Sequence, residues 1–102
     1  MLKLHTASST MRLDRFLWFV RLAKTREAAQ AIACEGRLRI DGRPVGRSAA
    51  PVRVGNILTF AHQGRVRVLR VEALPLRRGP APEAQGCYQE LVANVSQTSA
   101  ID

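Results

Sequence analysis

Between Arg12 and Gly42 the chain reads RLDRFLWFVRLAKTREAAQAIACEGRLRIDG, and seven of these residues are cations: Arg12, Arg15, Arg21, Lys24, Arg26, Arg37 and Arg39. Four acids, Asp14, Glu27, Glu35 and Asp41, share the stretch and neutralise only some of them. A guanidinium fork grips phosphate at two points, so arginines held on rigid elements suit a polyanion. Trp18 and Phe19 sit among the arginines, where an aromatic ring can stack on an unpaired base. Phe19 serves equally well as cover for the edge of the core, and that is the placement expected of it. Asp14 is read as the carboxylate that orients Arg12 or Arg26, not as a catalyst. Against this stands the plainer account of solvated charges and surface ion pairs, each pair contributing ~0–1 kcal/mol.

Other chemistries lack their residues. His5 and His62 have no partner visible in the sequence, and no nucleophile elbow, phosphate loop or paired carboxylates occur. No catalytic residue, metal ligand set or cofactor is therefore expected. Cys34 and Cys87 lack CxxC spacing and are expected as two buried, reduced thiols. The longest apolar run, Phe16 to Val20, is far short of the ~20 residues that span a bilayer. No targeting signal of secretory type opens the chain, so a cytoplasmic protein is expected. A formal net charge of +8 over 102 residues attracts polyanions, nucleic acid above all.

Arginines grip only if something holds them, and the pattern supplies short elements in one domain. Residues 1–9 read as a loose arm. Helical periodicity begins near Thr10, a suitable N-cap, with Leu13, Phe16, Leu17 and Val20 on one apolar face and Asp14 near the positive helix end. Arg21 to Lys24 connect to a second helix, which Thr25 caps. Glu27 lies in its first turn, and Ala28, Ala29, Ile32 and Ala33 form an inward face small enough for close approach. Gly36 is placed to end it. Arg37 to Ile40 alternate as a half-buried strand, Asp41-Gly42 suits a type I′ turn, and Arg43-Pro44-Val45 returns as an edge strand. Residues 46–51 are loop, Gly55-Asn56 is a second turn, and Ile57 to Ala61 is another strand. From Arg65 to Val68 polar and apolar residues alternate, then the phase slips to Leu69 and Val71. The slip predicts a bulge near Val68 or a strand buried on both faces. After a surface linker at 74–82, Ala84, Cys87, Tyr88, Leu91 and Val95 recur at helical spacing, against a Gly86 that costs ~1 kcal/mol in a helix. The tail, 96–102, reads as disordered. The expected division is an arm (1–9), a domain (10–74), a linker with a C-terminal helix (75–95) and the tail. The expected class is α+β, with two N-terminal helices packed on a small twisted antiparallel sheet and a C-terminal helix docked across it.

Arg12-Leu13-Asp14, Leu17, Lys24-Thr25-Arg26, Ala29, Ile32, Gly36, Asp41-Gly42 and Gly55 resemble, in order and spacing, the RNA-binding domain family named after ribosomal protein S4. The resemblance covers residues 12–58. Asp41 and Asn56 stand where that family usually has Asn and Asp, and Ala49 follows Ser48 where a lysine is usual. Within the family the chain is most similar to the ribosome-associated heat-shock protein 15 group, through Arg12 to Trp18, Lys24-Thr25-Arg26, and Arg77-Arg78 followed by Pro82, Glu83, Ala84 and Tyr88. The residues after Tyr88, QELVANVSQTSAID, do not resemble the strongly basic tail usual in that group. The resemblance implies the αL motif and a non-enzymatic bacterial protein that binds ribosomal RNA on the large ribosomal subunit. It further implies a role in rescuing subunits that still carry a nascent chain, with peptidyl-tRNA as a further partner. The RNA-binding residues expected are Arg12, Lys24 and Arg26 foremost, then Arg15, Thr25, Arg37, Arg39, Arg43 and Arg47. Arg65 and Arg67 lie on a later strand that can face elsewhere. A monomer is expected, and membrane binding is not, since the polar faces alternate on strands instead of forming the one long amphipathic helix a membrane binder needs. The competing class is a protein-interaction adaptor using the aromatic cluster and the C-terminal helix, which requires Trp18 exposed beside a broad apolar patch.

Overall fold

Leu13, Phe16 and Leu17 recur on one helical face and are fully buried, which is why a helix as short as α1 (Leu13–Phe19) persists. The structure, a computed structural model, describes residues 9–34 and 38–91. The start of α1 differs from the sequence expectation. Thr10 does not cap it. Instead Met11–Arg12 form a short strand, β1, antiparallel to the Pro51–Val52 strand. The Leu13 N–H donates to the Ala50 carbonyl at 2.9 Å and the Asp14 N–H to the Ser48 carbonyl at 3.0 Å. The first free amides of the helix are thus met by a loop distant in sequence, a partner that no local pattern announces.

α1 closes with a Schellman arrangement. The Leu22 N–H reaches the Leu17 carbonyl at 3.0 Å and the Arg21 N–H reaches Trp18 at 3.1 Å. The residue in the left-handed position, usually glycine, is Arg21, with φ of 64°. That conformation costs an L-residue roughly 1–2 kcal/mol. The Arg21 side chain offsets part of the strain by donating from Nε to the Gly79 carbonyl.

α2 (Arg26–Cys34) begins as its sequence requires: Thr25 Oγ1 accepts the Ala28 N–H at 3.0 Å. Ala29 and Ala33 are buried and Ala28 and Ile32 half-buried, so α2 lies close on α1. Cys34 is exposed, contrary to the expectation of two buried thiols, because it falls one residue past Ala33 and off the inward face; Cys87 is buried. Gly36, the expected helix stop, lies outside the described residues.

The remaining strands are β2 (Leu38–Ile40), β3 (Arg43–Val45), β4 (Pro51–Val52), β5 (Ile57–His62), β6 (Arg65–Val71) and β7 (Tyr88–Glu90). Five of them form one antiparallel sheet in the order β3-β2-β5-β6-β7. Asp41 and Gly42, at φ 53° and 84°, make the expected type I′ turn, and the proline-bearing β3 takes the edge. The bulge expected near Val68 is absent. β5 and β6 pair without interruption from Ile57↔Arg70 to His62↔Arg65. Leu69 sits opposite Leu58 on the core face, whereas Val66 and Val68 point to the other side, and Val66 is 65% exposed. Toward its turn the hairpin is uncovered on both faces, so polar and apolar residues there are not sorted by burial.

α3 (Ala81–Gln85) is the C-terminal helix, but it is one turn long and ends at Gly86. Tyr88 to Glu90, which the helical spacing would have carried onward, instead pair with β6 as β7, Tyr88 facing Val71 and Glu90 facing Leu69. An open strand edge offers a row of unpaired N–H and C=O groups, and that demand outweighs a weak helical periodicity interrupted by glycine. Val95, the arm before residue 9 and the tail lie outside the described residues. The α+β class holds: two N-terminal helices, an antiparallel sheet, and a short C-terminal helix whose Ala84 is buried in the common core.

Candidate nucleic-acid interface

Because small alanines let α1 and α2 approach, side chains leaving their outer faces converge. Arg12, Asp14, Arg15, Trp18 and Phe19 from the first segment and Arg26 and Gln30 from the second line a concavity of about 360 Å³. Phe19 belongs to this wall. It is half-buried and tilted at 52° to Trp18, not packed into the core as expected.

Asp14 is 8% exposed and takes Arg12 as its partner in a two-point pair, Nε to Oδ1 at 3.0 Å and Nη2 to Oδ2 at 2.9 Å. Hydrogen bonding from Arg12 holds the Asp14 carboxyl below its ordinary range, against the opposing effect of burial, and the same contact raises the Arg12 guanidinium. Gln30 Nε2 approaches the carboxylate at 3.5 Å. Arg26, the other partner the sequence allowed, lies instead over the Trp18 ring, 4.7 Å from its centroid.

Ion pairs among the described residues are Arg12–Asp14, Arg67–Glu90, Arg70–Glu72 and Arg77–Glu83. Arg15, Lys24, Arg26, Arg39, Arg43 and Arg47 are all exposed and none takes part in them. Arg12, Arg15 and Arg26 are gathered in the concavity. Arg39 and Arg43 lie on the β2–β3 hairpin, Arg39 donating to the Gly42 carbonyl at 3.2 Å and Arg43 lining a separate depression with Asp41 and Pro51. Arg47 adjoins Ser48, whose carbonyl caps α1. Lys24 precedes the α2 cap. The Thr25 hydroxyl oxygen is engaged in that cap, leaving its proton free to donate. Arg37 lies outside the described residues.

Two cations outside the expected set belong to this surface. Arg78 donates from Nε to the Trp18 carbonyl at 3.0 Å and places its guanidinium 5.1 Å from the indole centroid. Arg21 holds the neighbouring Gly79 carbonyl. The Arg77-Arg78 pair is visible in sequence, but its two members part company: Arg77 pairs with Glu83 at 2.7 Å, while Arg78 crosses to α1. Nothing local signals that return. Among the described residues no cluster of His, Cys, Asp and Glu could hold a metal, and no helix is long and apolar enough to cross a membrane.

Residues 11–58 match the model of the S4 domain. The chain is 33% identical over 95 residues to the heat shock protein 15 homolog of Haemophilus influenzae, covering 93% of this chain and 72% of that one. The chain belongs to the heat shock protein 15 family. A second member, heat shock protein 15 of Escherichia coli K12, is 30% identical over 87 residues, covering 85% of this chain and 65% of that one. The solved structure of Vibrio cholerae heat shock protein 15, described as trimeric, superposes with a TM-score of 0.77 at 27% identity, over 86% of this chain and 88% of that one. Every residue of the concavity lies inside the S4 domain, the RNA-binding domain that the motif resembles. Arg78, which shares Trp18 with Arg26, comes from beyond it.

Proposed function

We propose that this protein binds structured ribosomal RNA on the large ribosomal subunit through the α1–α2 concavity, in the rescue of subunits that still carry a nascent chain on transfer RNA. It acts by binding and not by catalysis. The observation that carries the reading is that Arg15 and Arg26 stand exposed beside an aromatic wall with no carboxylate partner among the described residues, whereas Arg67, Arg70 and Arg77 each hold one. Folded RNA offers phosphates and sugar hydroxyls on an irregular surface and hides its base edges in a deep major groove. At this stiff corner Arg15 and Arg26 meet that surface without first giving up an ion pair among the described residues, while Arg12 stays fixed by Asp14. Lys24, Arg39, Arg43 and Arg47 extend the cationic surface, and Arg12 shapes it. The S4 domain supports RNA as the partner, and the resemblance to the heat-shock protein 15 group supports the large subunit, the cytoplasm and peptidyl-tRNA.

The proposed binding unit is a monomer, because both walls of the concavity and Arg78 come from one chain. A protein adaptor would need Trp18 exposed beside a broad apolar surface, whereas its ring is half-buried and flanked by two guanidinium groups.

Sucrose-gradient fractionation of cell extract tests the proposal. The protein is expected in the large-subunit fractions at low salt and at the top of the gradient once salt is raised. Sedimentation with small subunits alone, or with no particle at any salt, rejects it.

A further inference from the structure

Trp18 carries two guanidinium groups, and they are held differently. Arg78 is tethered by its hydrogen bond to the Trp18 carbonyl at 3.0 Å. Arg26 is exposed, lies closer to the ring at 4.7 Å, and takes part in no side-chain hydrogen bond or ion pair among the described residues. Of the two, Arg26 lines the concavity and Arg78 does not. One of the two cations on the indole is therefore tethered, and the other, which lines the concavity, is a side chain free to leave. At the half-buried Trp18 ring, whose open part faces the concavity, a lone cation is a weaker contact than a stacked nucleobase.

We propose that Arg26 is a placeholder: an unpaired nucleotide of the bound RNA lays its base on Trp18 in the concavity, and the displaced Arg26 guanidinium takes that nucleotide's phosphate. At about 360 Å³ the space is near the small end of ligand pockets, about 300–1,000 Å³, and suits one flat ring system rather than a base pair. Phe19, its ring centroid 5.8 Å from that of Trp18 and tilted at 52°, lines the same concavity and takes up part of its width. Arg15 stands at the same concavity to meet the next phosphate. The exchange conserves contacts, since the ring keeps a planar partner and the cation trades a ring for an anion. The inference rests on the RNA binding proposed above and adds what part of the RNA is recognised: an extruded base, not only the backbone.

The chain contains one tryptophan, so its emission reports on Trp18 alone. The full chain is titrated with three RNA hairpins: fully paired, with a single-nucleotide bulge, and with the same bulge made abasic. The bulged hairpin is expected to bind on the order of tenfold tighter than the abasic one and to quench the emission, while the other two bind alike without quenching. Trp18→Phe is expected to keep part of the preference and Trp18→Ala to lose it. Arg26→Ala is expected to weaken binding of all three while quenching by the bulged hairpin persists. Equal, salt-sensitive binding of all three with unchanged emission overturns the base-stacking inference and leaves RNA binding standing. No binding of any hairpin at low salt overturns both.

Discussion

On the α1–α2 side, Arg15 and Arg26 hold no carboxylate among the described residues, whereas along β6 and the C-terminal segment three arginines each hold one: Arg67 with Glu90 at 2.6 Å, Arg70 with Glu72 at 3.0 Å and Arg77 with Glu83 at 2.7 Å. Arg67 and Arg70 also reach across to β7, since Glu90 and Gln89 are on that strand. In this region arginine fastens the last strand to the sheet. In the other it is left facing outward. The residue type is the same, and the difference lies in which acids the fold brings near. Arg12 stands between the two classes, for it lines the concavity but is already gripped at two points by Asp14. Its part is to hold the wall in shape and present the outer edge of its fork.

Salt should produce the largest effect. About six phosphate contacts imply a fall in RNA affinity on the order of 10³ between 50 and 200 mM salt, while the thermal midpoint of the protein moves little. A flat binding response would remove the distinction between the two regions. Next, Arg26→Ala should weaken RNA binding about tenfold with the fold intact, as expected for one lost charge-assisted contact. Arg67→Ala should do the reverse, leaving RNA affinity unchanged and lowering stability by about 1 kcal/mol or less, the pair being only partly screened. Filter binding and urea denaturation of the two variants read this directly, and equal losses of RNA affinity would sink the contrast.

Acid should weaken the paired carboxylates of both regions. Arg67 holds the Glu90 carboxyl below its ordinary range, and Arg12 does the same for Asp14. A carboxyl whose folded value is lowered contributes stability that is complete above the ordinary value, near pH 4, and is lost as pH falls through the lowered one. Stability should therefore decline below about pH 4, less steeply in Arg67→Ala, where the Arg12–Asp14 pair still supplies part of the decline. A profile identical in the variant would show that the Arg67–Glu90 pair does not couple to folding. The smallest effect belongs to Arg77→Ala. Its pair with Glu83 is exposed on both sides, 68% and 43%, and no change in the denaturation midpoint is expected.

Much of the fold was legible because its determinants lie a few residues apart. The inward face Leu13, Phe16, Leu17, Val20 is one helical stripe, Thr25 caps the helix that starts beside it, and Asp41-Gly42 adopts the positive φ its turn demands. Where periodicity met a distant partner it misled. Tyr88 to Glu90 joined an open strand edge, and the phase slip at Val68 reflected a hairpin end uncovered on both faces. Of the site, the chain itself shows the supply of cations and the aromatic pair among them, together with a motif whose spacing determines that two helices meet. It does not show which guanidinium groups stay open, because an ion pair is settled by proximity in space. Asp14 chose Arg12 over Arg26, Glu83 claimed Arg77 and released Arg78 to Trp18, and the loop at 46–50 closed the end of α1 that Thr10 was expected to cap. Composition and local spacing set the charge and the scaffold; folding alone decided where that charge remains unanswered, since only the closed chain brings Asp14, Glu83 and Glu90 each within reach of one arginine and out of reach of the next.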